Sequence, residues 1–315
     1  MSSVAKAGWI ALVLGAVALG LWGSRFSVYL ATQVMILAIF SMGYNLLFGR
    51  SGLLSFGHGA FYALGAYGLG LFYLHVNTHP LLGIAVGVAV AAVGALIIGF
   101  FCVRHTEIYF AMLTLAFGML IFSLIWNLRD ITGGDDGLVG IGRAPIDLGV
   151  VSLPIAKGYQ FYFLVLVAFL ISCWVLWRLR NSAFGLVLAG LRENPQRTQF
   201  SGLDIRRWRL AAFAISGAFA GLAGALSALL ENNTDPFSAH WSHSAEPILT
   251  CLIGGMHTFF GPVVGSAVFV VLREEVERFT EKWELAFGIL LVIIILGFRG
   301  GIVGTLARVW HRAEG

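Results

Sequence analysis

The chain has 315 residues, 58% of them hydrophobic and 11% charged, with a net charge of +4. Soluble domains carry about 25% charged residues. A surface this poor in charge must be covered largely by lipid, which excludes an ordinary soluble enzyme. Between the apolar runs the stretches reach only about 30 residues, too short for a separate soluble domain, so 1–315 reads as a single transmembrane domain.

A spanning helix needs about 20 mostly apolar residues. Stretches of this kind lie at 8–23, 27–48, 54–75, 81–103, 108–126, 160–178, 210–230 and 283–298. They predict an all-α polytopic membrane protein with about eight transmembrane helices. The first stretch follows Lys6 and is expected to be a retained helix, because no small-residue cleavage site precedes a polar mature chain. In the third, Ser55-Phe-Gly-His58-Gly59 sets an imidazole near the inner edge of the membrane. An ionisable group in a span points to function, while the flanking glycines equally suit a hydrogen-bonded structural histidine. Cys102, Cys173 and Cys251 all lie in apolar runs and read as small core residues, not as a disulfide framework or a metal site.

Within the loop 127–159, Thr132-Gly-Gly-Asp-Asp-Gly137 favours tight turns, and its adjacent aspartates do not match the alternating ligands of a calcium loop. The Arg-rich segment 178–209 is the largest loop on its side. From Ser182 to Phe200, apolar residues at helical spacing predict a short amphipathic helix on the membrane surface, ending in a turn at Gly202. Such a basic segment suits either anionic lipid headgroups or a cytoplasmic protein partner. The stretch 231–246, with Glu231, Asp235, His240, His243 and Glu246, reads as a polar entrance loop; His240 and His243 alone do not make a metal site.

A further apolar stretch, 247–272, is broken by Gly254-Gly-Met-His-Thr-Phe-Phe-Gly-Pro262. If it folds as a hairpin of two half-helices, thirteen basic and four acidic residues share the side of segment 178–209, against seven and twelve on the other, giving +9 and −5. That is the asymmetry expected of cytoplasmic and outer faces, so the hairpin, with both termini inside, is the preferred reading; a Gly-Pro kink in one long helix is the other. Irregular backbone at membrane depth survives only against protein or a water-filled cavity. The candidate translocation path is therefore Gly254, Gly255 and Gly261 together with Ser55, His58 and Tyr67. Gly217-Ala-Phe-Ala-Gly221 and Gly261-Pro-Val-Val-Gly265 have the spacing of close helix contacts.

The sequence holds no G-x-x-x-x-G-K-[ST], and none of its three lysines follows a glycine, so the chain carries no P-loop of its own. Gly49-Arg-Ser-Gly52 looks like an intramembrane serine protease motif, yet Arg50 puts Ser51 at the cytoplasmic interface, without a buried oxyanion site.

Taken in order, several motifs over about residues 30–304 resemble the permease subunits of branched-chain amino acid ABC transporters, the longer of the two types. They are Gly43-Tyr-Asn-Leu-Leu-Phe-Gly49, Gly52-Leu-Leu-Ser-Phe-Gly-His-Gly-Ala-Phe61, Thr132 to Leu138, Arg192-Glu-Asn-Pro-Gln-Arg-Thr-Gln-Phe-Ser-Gly202, His240-Trp-Ser242, Gly254-Gly-Met256, Gly261 to Gly265 and Arg299-Gly-Gly-Ile-Val-Gly304. The resemblance implies a multi-pass subunit of the bacterial inner membrane, with no cofactor, no metal and no nucleic acid. Its implied partners are a second permease, two cytoplasmic ATPase subunits and a periplasmic substrate-binding protein. It makes 178–209 the coupling loop, with Arg192, Glu193, Asn194, Gln196, Gln199 and Gly202 against the ATPase. Where ABC importers commonly carry Glu-Ala-Ala, this chain has Gln196-Arg197-Thr198. That departure bears on which ATPase fits. It also leaves open a related branch that moves urea and short amides. A secondary transporter or channel working alone would need no coupling loop.

Overall fold

A computed structural model describes residues 15–105, 107–147, 152–279, 283–297 and 300–305. Lys6 and the first half of the predicted span 8–23 lie outside these residues, as do Arg308 and Arg312. The chain is built almost wholly of helices. They are α1 (15–22), α2 (Arg25–Asn45), α3 (His58–His75), α4 (Pro80–Cys102), α5 (Glu107–Asn127), the short α6 (Arg129–Thr132), α7 (Gly158–Arg180), α8 (Ala183–Glu193), α9 (Pro195–Phe200), α10 (Ile205–Glu231), α11 (Trp241–Gly254), α12 (Gly261–Phe279) and α13 (Trp283–Gly297). Among the described residues, five helical stretches, Arg25–Ser51, Pro80–Cys102, Ile108–Asn127, Gly158–Arg180 and Ile205–Glu231, are long and apolar enough by themselves to cross a membrane. The other predicted spans are met by shorter or less apolar helices.

Helices α3, α4 and α10 form the tightest layer, and α2, α7, α11 and α12 pack beside it. Small residues allow this. A Cβ on Gly65 of α3 would overlap the backbone of Gly221 in α10, and a Cβ on Gly221 would overlap Ala91 of α4. The predicted small-residue contact at 217–221 is thus made, by helices whose backbones nearly touch. Hydroxyls tie the second layer: Thr250 Oγ1 of α11 donates to Ser41 Oγ of α2 at 2.7 Å, and Ser266 of α12 reaches the same oxygen at 3.3 Å. The three cysteines are buried and free, as expected of core residues.

Two irregular segments penetrate the bundle. One is 52–57, between the π-turn that ends α2 (Leu46–Ser51) and α3. The other is 232–240, between α10 and α11. The predicted span 54–75 therefore starts as a helix only at His58. Backbone groups freed at this depth need partners, and side chains supply them. Tyr44 Oη takes the Ser55 N–H and donates to its carbonyl, both at 3.0 Å. The Phe56 N–H donates to Thr114 Oγ1, the Gly57 N–H to Ser55 Oγ and the Gly59 N–H to Ser244 Oγ. Thr114 lies in the middle third of α5 and Ser216, which meets His58, near the middle of α10, so this break sits near the centre of the bundle.

The expected hairpin forms, but not as two half-helices meeting at mid-depth. Helix α11 reaches the end of the bundle that carries Arg50, Arg180 and Arg192, turns at 255–260, and α12 runs back to the end that carries Glu231 and Glu274. The turn is seated there because Arg180 Nη2 donates to the His257 carbonyl at 2.9 Å. The irregular backbone near the centre is at 52–57 instead.

On the opposite end, Thr132 to Gly137 forms the expected tight turns, with Gly133 at φ +78° and Gly137 at φ +68°. Strand β1 (Leu138–Val139) pairs antiparallel with β4 (Asn233–Thr234). Between them, β2 (Ile146–Asp147) pairs with β3 (Ser152–Leu153). Arg143 donates to the carbonyls of Leu229 and Leu230, capping α10, and its guanidinium lies 4.5 Å from the centre of the Phe161 ring.

Candidate functional site: an outer cavity and a coupling segment

A recess of about 660 Å³ opens between the outer ends of α2, α10, α11 and α12 and the 232–240 segment. Its floor is the first two turns of α11, Ser242, His243 and Glu246. His243 is wedged between Tyr62 and Phe40, with ring centroids 4.5 and 5.8 Å away, and its Nδ1 is 3.4 Å from Glu246. Arg273 bridges Glu246 at 3.7 Å and Glu277 at 2.9 Å. Across the cavity, Glu231 accepts from Tyr29 Oη at 2.8 Å, and Asp235 caps the 3-10 turn Pro236–Ala239. These pairs are partly exposed, so they order the side chains more than they stabilise the fold. A cation and several acids thus share one small chamber.

Glu231, Asp235, His243 and Glu246 come from the stretch read as a polar entrance loop, and the cavity draws them together. His240 stands beside it, edge-on to Phe122 and Phe237. Among the described residues no cluster of His, Cys, Asp and Glu is arranged to hold a metal. The sequence pattern did not single out Tyr29, Arg273, Glu274 or Glu277. The spacing Arg273–Glu277, an ion pair one helical turn long at the end of an apolar run, was the available signal.

The six residues expected along a path lie apart from this cavity. Ser55 and His58 are fully buried. His58 Nδ1 meets Ser55 Oγ at 2.9 Å and its Nε2 meets Ser216 Oγ at 2.8 Å, which locks α3 to α10. Tyr67 is buried one turn-pair further along α3. Gly254 and Gly261 pack against each other where α11 and α12 join, and Gly255, at φ +110°, lies against Gly301. None of the six lines the outer cavity. Replacing His58 with leucine removes the partner of a buried Ser216 hydroxyl, at a cost of about 1–3 kcal/mol. The expected result is a lower thermal midpoint in detergent; an unchanged midpoint would show that the histidine does not hold the two helices.

At the opposite end, the predicted amphipathic helix is two helices. Asn194 separates them: its Oδ1 accepts from the Arg197 N–H at 3.0 Å, and Pro195 takes the first position of α9. Leu188 and Leu191 bury the inner face of α8, while Glu193, Gln196 and Gln199 point outward. Gly202 makes the expected turn at φ +83°. Phe200 is 91% exposed at the tip. Arg192 alone turns inward. Its Nη1 donates to the Gly49 carbonyl at the end of α2 and lies 3.4 Å from His257 Nδ1 in the α11–α12 turn.

Residues 26–296 match the family model described as branched-chain amino acid transport system / permease component. The chain is 33% identical to the high-affinity branched-chain amino acid transport system permease protein LivM of Escherichia coli K12, over 91% of this chain and 72% of that protein. It is 22% identical to LivH, the other permease protein of that name in the same organism, over 85% of this chain and 91% of LivH. It is also 26% identical to the galactose/methyl galactoside import permease protein MglC of Salmonella typhimurium, over 60% of this chain and 56% of MglC. No solved structure matches. With most of its length matched in a many-helix membrane fold, the chain belongs to the permease components of branched-chain amino acid transport systems.

Proposed function

We propose that this permease works in an ATP-driven importer of branched-chain amino acids in the bacterial inner membrane. It pairs there with a second permease, two cytoplasmic ATPase subunits and a periplasmic binding protein. The observation that carries this reading is the α8–α9 segment. It presents Glu193, Gln196, Gln199 and Phe200 outward and sends Arg192 inward to two transmembrane elements, in a chain without a P-loop. A segment so built receives force at one face and delivers it at the other. Crosslinking tests the outer face. A cysteine at Gln199 is expected to crosslink to the co-expressed ATPase, and no crosslink from any position in 192–202 would remove the docking role.

The outer cavity is the proposed entry for substrate. An amino acid is a zwitterion; Arg273 and the amino end of α11 suit its carboxylate, and Glu231 and Asp235 suit its ammonium. Ser55, His58 and Tyr67 support the wall behind the cavity, and Gly254, Gly255 and Gly261 form the hinge region below it. Narrowing the cavity with Val270→Trp is expected to cut leucine uptake at least about ten-fold while the thermal midpoint stays close to the original. Unchanged uptake would take the cavity off the route.

Uptake of radiolabelled leucine into proteoliposomes holding both permeases, the ATPases and the binding protein tests the whole reading. Dependence on both ATP and the binding protein is expected. Uptake without ATP would replace the importer by a secondary transporter. ATPase stimulation by another loaded binding protein, without leucine uptake, would keep the importer and replace the substrate, with short amides the next to try given Gln196-Arg197-Thr198.

A further inference from the structure

Three arginines from three elements meet at the cytoplasmic end of the bundle. Arg50 lies in the last turn of the π-turn after α2, Arg180 is the last residue of α7, and Arg192 comes from α8. Arg180 and Arg192 both contact His257. Arg50 and Arg180 line one small cleft, walled by Leu46, Leu176, Met256 and Phe259. Arg180 also lies over the Phe259 ring at 5.7 Å. Among the described residues, no aspartate or glutamate forms an ion pair with any of the three. Arg50 Nε and Asn45 Oδ1, both enclosed at this cleft, have no hydrogen-bond partner. Burial first, then Arg192 and Arg180, hold the His257 imidazole below its ordinary pKa.

Guanidinium groups gathered without a counter-charge repel one another, and an enclosed donor without a partner is costly. One anion with several oxygens relieves both, and the guanidinium fork matches phosphate geometry. Depth and wall indicate where that phosphate comes from. Trp174 and Trp177 are 63% and 37% exposed on α7, about two turns and one turn before Arg180. Outward tryptophans mark the membrane interface, so Arg180 stands at headgroup level, above an apolar wall on the flank of the bundle. We infer that the cleft lined by Arg50 and Arg180, with Arg192 next to it on His257, binds the phosphate of an anionic phospholipid from the cytoplasmic leaflet.

The lipid count needs neither leucine nor the ATPases. The chain is placed in nanodiscs of mixed phosphatidylethanolamine and phosphatidylglycerol, re-extracted in mild detergent, and its retained lipids counted by mass spectrometry. About one phosphatidylglycerol per chain is expected, with a loss of about five-fold for each arginine removed in Arg50→Gln and Arg180→Gln. Arg206→Gln, an exposed charge at the start of α10, is expected to retain lipid like the parent. Arg180→Lys keeps the charge without the fork, so it gives an intermediate result even where the glutamine variant folds poorly. Equal retention in parent and Arg50/Arg180 variants, or equal retention of phosphatidylethanolamine, would overturn the site. Inorganic phosphate raising the thermal midpoint as much as short-chain phosphatidylglycerol would overturn the lipid as its source. Loss of ATPase binding with lipid retention unchanged would reassign the arginines to a protein partner.

Discussion

Alanine at Gly254 or Gly265 is expected to abolish leucine uptake and to lower the thermal midpoint of the chain. A Cβ on Gly254 would overlap the Gly261 carbonyl and stand 2.9 Å from the Gly265 nitrogen; one on Gly265 would overlap the Thr250 carbonyl. These obstacles are backbone, so no rotamer change relieves them, and α11 and α12 must part. Overpacking costs about 1–3 kcal/mol where side chains can shift, and the upper end applies here. Parting the helices also strains the hydroxyl cluster of Ser41, Thr250 and Ser266, the tie to α2. Gly288→Ala in α13 is the control: a Cβ there meets nothing within 4 Å, and alanine favours a helix by up to about 1 kcal/mol. Normal uptake and an unchanged midpoint in both hairpin variants would mean that the two helices are not held this closely.

Much of this arrangement is legible in the residues. Apolar runs give the helices α2, α4, α5, α7 and α10 to within a few positions, because a span has to be apolar along its whole length. The imbalance of basic residues across the loops gives the hairpin its parity, since only a hairpin keeps segment 178–209 and the tail on one side. Gly217-Ala-Phe-Ala-Gly221 announces a close contact, and Asn194-Pro195 holds the signal for a second helix start, although the hydrophobic pattern across it reads as one helix.

Other features are decided by partners far away in the chain. Residues 52–57 look apolar enough to be helical. They stay irregular because Tyr44 and Thr114, the latter 58 residues from Phe56, take their backbone groups. For His58 the sequence allows a path residue or a hydrogen-bonded structural histidine, and only the fold shows that its two nitrogens meet Ser55 and Ser216. The cavity joins residues from 29 to 277, and no local pattern marks Tyr29 or Glu277 as neighbours of Asp235. Depth is the other quantity hidden from sequence. The glycine-rich break at 254–262 is visible, but only the contact from Arg180 to His257 fixes it at the end of the bundle.

Arg192→Gln is expected to uncouple the assembled importer: leucine uptake falls at least about ten-fold while ATP hydrolysis falls by less than about two-fold. The reason lies in what the side chain joins. Helix α8 meets the outside through Glu193 and α9, and the Arg192 guanidinium grips the Gly49 carbonyl on one side and approaches His257 on the other. A displacement of α8 is therefore passed at once to the end of α2 and to the α11–α12 turn, two elements that both reach up to the outer cavity. Glutamine is too short and too weak a donor to hold both contacts. Lysine at the same position keeps the charge but offers a point donor in place of a fork, so Arg192→Lys should lie between the two. Equal losses of uptake and hydrolysis would move Arg192 from transmission to docking, because a loosened interface slows both. Full uptake in Arg192→Gln would send the force through the apolar face of α8, where Leu188 and Leu191 are already buried against the bundle.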